Sequence, residues 1–150
     1  MLSVDVPARV SIALLGPDAE HASSLLAYIP AGLELVDAEP SVVSHGSAAW
    51  ELWDMLIGYD KVGPTTASKL MARKRPNLIP IHDSVVLATL RHAEGSDFWA
   101  STRGALLGTV AGGGTLSNWL RRAQDAAGIA PDISELRVFD VLGWLHGKRA

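Results

Sequence analysis

The chain has 150 residues, 48% of them apolar and 19% charged, with a formal net charge of −3 and no cysteine. That balance predicts one globular domain over residues 1–150, large enough for a real core. It excludes disulfides, thiolate nucleophiles, iron–sulfur clusters and cysteine zinc sites, and no apolar run reaches the 18 residues that would predict a membrane span.

Met1-Leu2-Ser3-Val4-Asp5 lacks the basic start and apolar stretch of a signal peptide, and the lack of cysteine fits a reducing compartment, so a cytoplasmic location is expected. Helical periodicity runs from Val6 to Leu15 and stops at Gly16-Pro17. A second segment spans Asp18 to Tyr28 and stops at Pro30. Gly32, Pro40 and Gly46 break up residues 30–46, where Leu33 to Val36 can be extended. Ser47 can cap a helix through about Ile57, with Trp50, Trp53 and Leu56 or Ile57 along one side. Gly58 to Gly63 is a turn. Pro64 suits a first helical position, and the helix it opens runs to about Arg75, closed by Pro76. That helix turns Ala67, Leu70 and Met71 to the core and Thr65, Lys69 and Arg73 outward at i, i+4 spacing.

A further helix starts near Asp83 and carries Val86, Leu87 and Leu90. Ser96 is the expected cap of one containing Phe98, Trp99 and Leu106. Gly112-Gly113-Gly114 is the loop with the greatest backbone freedom. Thr115 to Ala127 is a helix ended by Gly128. Asp132-Ile133-Ser134-Glu135 resembles a capping box opening a last helix through about Leu145. The expectation is an all-α fold, a compact bundle of about seven short helices. Trp99, Trp119 and Trp144 fall at helical spacing among aliphatics, which predicts core packing over base stacking. His21, His45, His92 and His146 show no ligand spacing, so neither a metal nor a cofactor is expected.

Charge is unevenly placed. Residues 1–57 carry Arg9 against eight acids, a net of −7, while residues 58–92 carry six basic residues against Asp60 and Asp83, a net of +4. The positive region surrounds the turn at 58–63 and is sufficient to meet a phosphate backbone. Arg73-Lys74-Arg75 by itself reads first as a solvated helix end, where cations favour the dipole.

Residues of about 48–75 thus read as helix, tight turn, helix. Tyr59, Val62, Gly63, Ala67, Leu70 and Met71 resemble the helix-hairpin-helix element of DNA repair proteins, with Lys61 in place of that pattern's first glycine. If that position needs a positive φ, Lys costs about 1 kcal/mol more than Gly. Free N–H groups and the dipole at a helix start favour an anion, so a phosphate can sit there with no base being read. Duplex DNA is the expected partner, with Lys61, Val62, Gly63, Thr65, Thr66, Lys69 and Arg73 as contacts. Gly63 reads as a glycine whose replacement by a β-branched residue damages turn and grip together. The same residues also fit an ordinary αα-hairpin turning at Gly63-Pro64, in a non-catalytic module for DNA or protein interaction.

The segment Ile79-Pro80-Ile81-His82-Asp83-Ser84-Val85-Val86 extends the resemblance to the helix-hairpin-helix DNA glycosylase superfamily. There a Gly/Pro-containing loop and a catalytic Asp follow the hairpin, and Asp83 matches in distance and setting. The resemblance implies a monofunctional N-glycosylase: Asp83 stabilises charge on the sugar and orients water, with His82 and Tyr59 as possible substrate contacts. Bifunctional members carry a lysine where this chain has Thr65, so Schiff-base lyase chemistry is not implied. On its own residues, Asp83 reads first as a helix N-cap, or a partner for Arg73 or Arg75. The motifs Val62-Gly63-Pro64, Ala67-Ser68-Lys69-Leu70, Ala72-Arg73-Lys74-Arg75-Pro76, Leu78-Ile79-Pro80-Ile81 and Asp83-Ser84-Val85-Val86 also resemble an uncharacterised, mostly actinobacterial family. Weaker similarity covers most of residues 2–146. Members of that family often carry additional N-terminal sequence, so a short or trimmed member is expected.

Overall fold

The computed structural model describes residues 4–90 and 97–149. Nine helices run through them: α1 (Ala8–Leu15), α2 (Ala19–Tyr28), α3 (Pro40–Val43), α4 (Ala48–Ile57), α5 (Pro64–Lys74), α6 (Ser84–Thr89), α7 (Phe98–Leu107), α8 (Leu116–Ala126) and α9 (Glu135–Arg149). Among the described residues there is no strand, only an isolated bridge between Thr109 and Thr115. The all-α expectation holds. The helix count exceeds seven; α3, a single turn begun by Pro40, lies where Gly and Pro mask any periodicity. No helix among the described residues is long and apolar enough to cross a membrane.

Local chemistry explains most of the boundaries. Ser47 Oγ accepts from the Trp50 amide, Asp83 Oδ1 from Val85 and Val86, and Thr115 Oγ1 from Asn118, each supplying one cap. Gly128, at φ 64°, ends α8 in the left-handed conformation that glycine adopts without steric cost. The expected Ser96 cap lies outside the described residues; the observed cap of α7 is Asp97, which accepts from Trp99 and Ala100. The last helix is not opened by Asp132. It starts at Glu135, with Ser134 Oγ accepting from Arg137 N, and continues past Leu145 to Arg149. Leu33 to Val36 form no strand. Leu35 and Val36 lie in a turn, held by Leu35 N–H to Asn77 C=O and by Arg103, which donates to both their carbonyls.

α4 packs on α2 and α5, burying Ala49, Leu52 and Leu56 with Ala67, Met71 and Ala72. The run Leu78 to Ile81 passes through the centre, fully covered. A wall of rings joins α4 to α7: Trp50 and Trp53 meet Trp99 at 4.9 and 5.8 Å, and His82 meets Phe98 at 5.1 Å. Trp99 is a core residue as expected, but Trp119 and Trp144 are not. They are 43% and 40% exposed, because the described elements cover the faces of α8 and α9 that carry them only in part.

α6 lies against α9 through two glycines one turn apart. A Cβ at Gly147 would stand 2.5 Å from Val85 Cγ1 and 3.2 Å from the Val85 carbonyl oxygen, and one at Gly143 would touch Val86. Thr89 Oγ1 donates to the Gly143 carbonyl across this contact. Small residues there let the two backbones approach closely, which brings Asp140, one turn earlier on α9, up to the start of α6.

α5 is tied to the same segment by two hydroxyls. Ser68 Oγ, 0% exposed, accepts from His82 N–H at 3.0 Å and donates to Thr65 C=O at 3.1 Å. Thr65 Oγ1 donates to His82 C=O at 2.9 Å. Both backbone groups of His82 are therefore satisfied by side chains of α5. Ser68→Ala leaves a buried amide without its acceptor and is expected to cost ~1–3 kcal/mol, read as a lower urea midpoint with unchanged slope.

Candidate functional site

Two neighbouring features carry chemistry: the start of α5, and a cleft behind it. The turn before α5 closes through Val62 N–H to Tyr59 C=O, with Lys61 in its third position at φ 65°. This is the position that a type II turn gives to glycine. The lysine therefore occupies the strained site, as the departure from the hairpin pattern suggested. Gly63 does not. Its φ of −94° and ψ of 177° are open to any residue, and a Cβ there would meet nothing within 4 Å. The expectation that a β-branched residue at 63 breaks the turn is corrected: the conformation demanding a glycine is two residues earlier.

Gly63 is the N-cap of α5, Pro64 is its first residue, and no side chain caps the helix. The amides of Thr65 and Thr66 belong to the first turn, where no intrahelical acceptor is in reach. Gly63, Pro64, Thr65 and Lys61 are exposed and Thr66 is half-buried. Asp60, the one acid in the turn, is engaged by Arg9, and the Tyr59 hydroxyl donates to Asp18. Burial and the Asp18 carboxylate push the Tyr59 hydroxyl up to about 12. Tyr59 thus points to the head of α2. Val62 is 5% exposed and plugs the core, so its side chain is not at the surface. Arg75 is spent on α2, where it donates to the Leu26 and Ile29 carbonyls, and it is not the partner of Asp83. Arg73 is exposed, two turns along α5 from Thr65.

Lys69, one turn after Thr65, faces the cleft. Ile81, Asp83, Val86, Asp140 and Trp144 complete its lining, around a volume of about 220 Å³. That is below the range of drug-sized pockets. Asp83 serves two settings at once. Both cap bonds fall on Oδ1, at 2.9 and 3.4 Å, and Oδ2 takes no part in them. His82 is adjacent in sequence but does not line the cleft; its ring packs with Trp53 and Phe98.

Asp140 was missed by sequence reasoning. It is 3% exposed, with Oδ2 3.0 Å from Arg137 Nη2. Burial pushes its carboxyl up to about 7; Arg137 and the Ile81 amide act against the rise and Asp83 adds to it. Burial also lowers the Arg137 guanidinium from its ordinary value. The available signal was an acid inside the apolar run Val138-Phe139-Asp140-Val141-Leu142. No group of three or more His, Asp or Glu among the described residues is placed to hold a metal.

The Asp140 shift has a definite sign. An unfolded aspartate ionises near pH 4 and the folded one near 7. Between those values the unfolded chain releases a proton that the folded chain keeps, so stability falls as pH rises across the window. Asp140→Asn lacks this dependence. Its stability relative to wild type is expected to rise by ~2–4 kcal/mol from pH 4 to pH 7.5 and then level off, as followed by urea unfolding at each pH.

A family of unknown function, DUF6308, matches residues 1–147, and the chain belongs to that family. No curated protein and no solved structure matches it.

Proposed function

We propose that this family member is a sequence-tolerant duplex-DNA-binding domain that grips the phosphate backbone through the α4–α5 hairpin. The observation that carries the reading is the uncapped, exposed start of α5 beside Lys61, with the only acid of the turn paired to Arg9. Amides and dipole there favour an anion in a geometry indifferent to base identity. Arg73 and Lys69 extend positive charge along the same helix, in the one region of the chain with a net positive balance. The likeness to helix-hairpin-helix proteins, the mostly actinobacterial family and a cytoplasmic location belong to this reading.

A second reading, monofunctional base excision with Asp83, is favoured by one observation: Asp83 shares a small cleft beside the hairpin with Lys69 and the exposed Trp144. A nucleotide turned out of the duplex could enter there, with Trp144 as a stacking surface. Asp83 would then face the sugar as positive charge develops. In a purely binding module, Asp83 would do no more than cap α6.

The binding reading has a sharp test. Gly63→Asp places a good capping side chain over the Thr65 and Thr66 amides, in a backbone that accepts it. It is expected to stabilise the fold by roughly a few tenths of a kcal/mol, while weakening duplex binding at least tenfold. Wild-type affinity should fall with salt at a log–log slope of about −2 to −3. Fluorescence anisotropy with an unmodified duplex measures both. Salt-independent binding, or a Gly63→Asp variant that binds like wild type, removes the start of α5 from the interface.

A further inference from the structure

Asp140, in the lining of the cleft, pairs with Arg137 behind it, and the fold leaves that pair incompletely hydrogen-bonded. Arg137 Nη2 donates to the Ile79 carbonyl at 2.7 Å and lies 3.0 Å from Asp140 Oδ2. Among the described residues Arg137 Nε and Nη1 find no acceptor, while the Asp140 carboxylate is met only by Arg137 Nη2 and the Ile81 amide. Buried polar atoms are almost always satisfied, so each exception calls for an explanation, and a catalytic role is one. The elements around the pair contribute Lys69 from α5 and Asp83 from the head of α6, with Trp144 one turn along α9. α8, the other helix against α9, sends Arg121 to Glu135.

We propose that Asp140 is a second catalytic residue of this cleft, a carboxylic acid that gives its proton to a departing nucleobase while Asp83 faces the sugar. The proposal rests on the base-excision reading and deepens it. The two acids sit in different environments, which is how one site assigns acid and base roles. Asp140 is buried and shielded from solvent; Asp83 accepts amide hydrogens at a helix start. In the reaction the C1′–N bond breaks and its electron pair stays on the base nitrogen, which takes the Asp140 proton. Water bonds to C1′ through oxygen and gives a proton to Asp83. The products are the free base and an abasic sugar, and proton return from Asp83 to Asp140 restores the starting state.

The test uses duplexes that each carry one uracil, hypoxanthine, 8-oxoguanine or ethenoadenine, with single-turnover base release and duplex affinity measured from pH 5.5 to 9. Wild type is expected to release a base from at least one duplex, at a rate that declines as pH rises through neutrality. Asp140→Asn should slow release at least tenfold and abolish that decline, with duplex affinity unchanged. Release by Asp140→Asn at the wild-type rate, or with the same decline, overturns the assignment. Wild type that binds every duplex and releases no base overturns it too, while leaving the hairpin grip intact; wild type that binds none overturns both. Should Asp140→Asn fail to fold, carboxyl ¹³C titration of wild type decides. The Asp140 resonance must move near neutrality and titrate lower in Asp83→Asn, and a midpoint like that of an exposed aspartate overturns the proposal.

Discussion

Two hydroxyls on one face of α5 fix the geometry on which everything else depends. Ser68 and Thr65 between them bind both the N–H and the C=O of His82. His82 immediately precedes Asp83, so the start of α5 and the head of α6 move as one unit. A helix start open to solvent and a carboxylate beside a cleft are thereby held in a fixed relation, although 18 residues of chain separate Thr65 from Asp83. Neither hydroxyl makes a helix by itself; their effect is to satisfy a chain segment that has no secondary structure of its own.

The second constraint comes from the far end of the chain. Gly143 and Gly147 remove the side chains that would hold α9 away from α6. Close approach carries Asp140 into the neighbourhood of Asp83 and buries it with Arg137. Replacing such a pair by apolar residues is often neutral or stabilising, so its retention is weak evidence for stability. Here Arg137 is also incompletely bonded and Asp140 opens on a cleft. A fold that needed only packing at this point would be served as well by a leucine.

Much of this was legible in the sequence, and the reasons are local. Ser47, Pro64, Pro76, Thr115 and Gly128 set helix boundaries through capping chemistry within a few residues. Lys61 was legible as a non-glycine in a glycine's place, and its φ of 65° bears that out. Asp83 was legible as a cap. The misses are tertiary. Gly63 looked like the turn's essential glycine because sequence shows residue type and not φ. Trp119 and Trp144 looked like core because helical spacing cannot tell a fully covered face from a partly covered one. Asp140 was hidden for the opposite reason: an acid on an apolar helix is meaningful only once its burial and its distance from Arg137 are known.

The central claim is that the open amides at the head of α5 meet a nucleic-acid strand. Amide-resolved NMR during titration with a short unmodified duplex tests it most directly. The claim predicts that the largest shifts fall on Lys61, Gly63, Thr65 and Thr66 and collapse when salt is raised. Shifts confined elsewhere, such as the exposed apolar faces of α8 and α9, with those four amides unmoved, would contradict it.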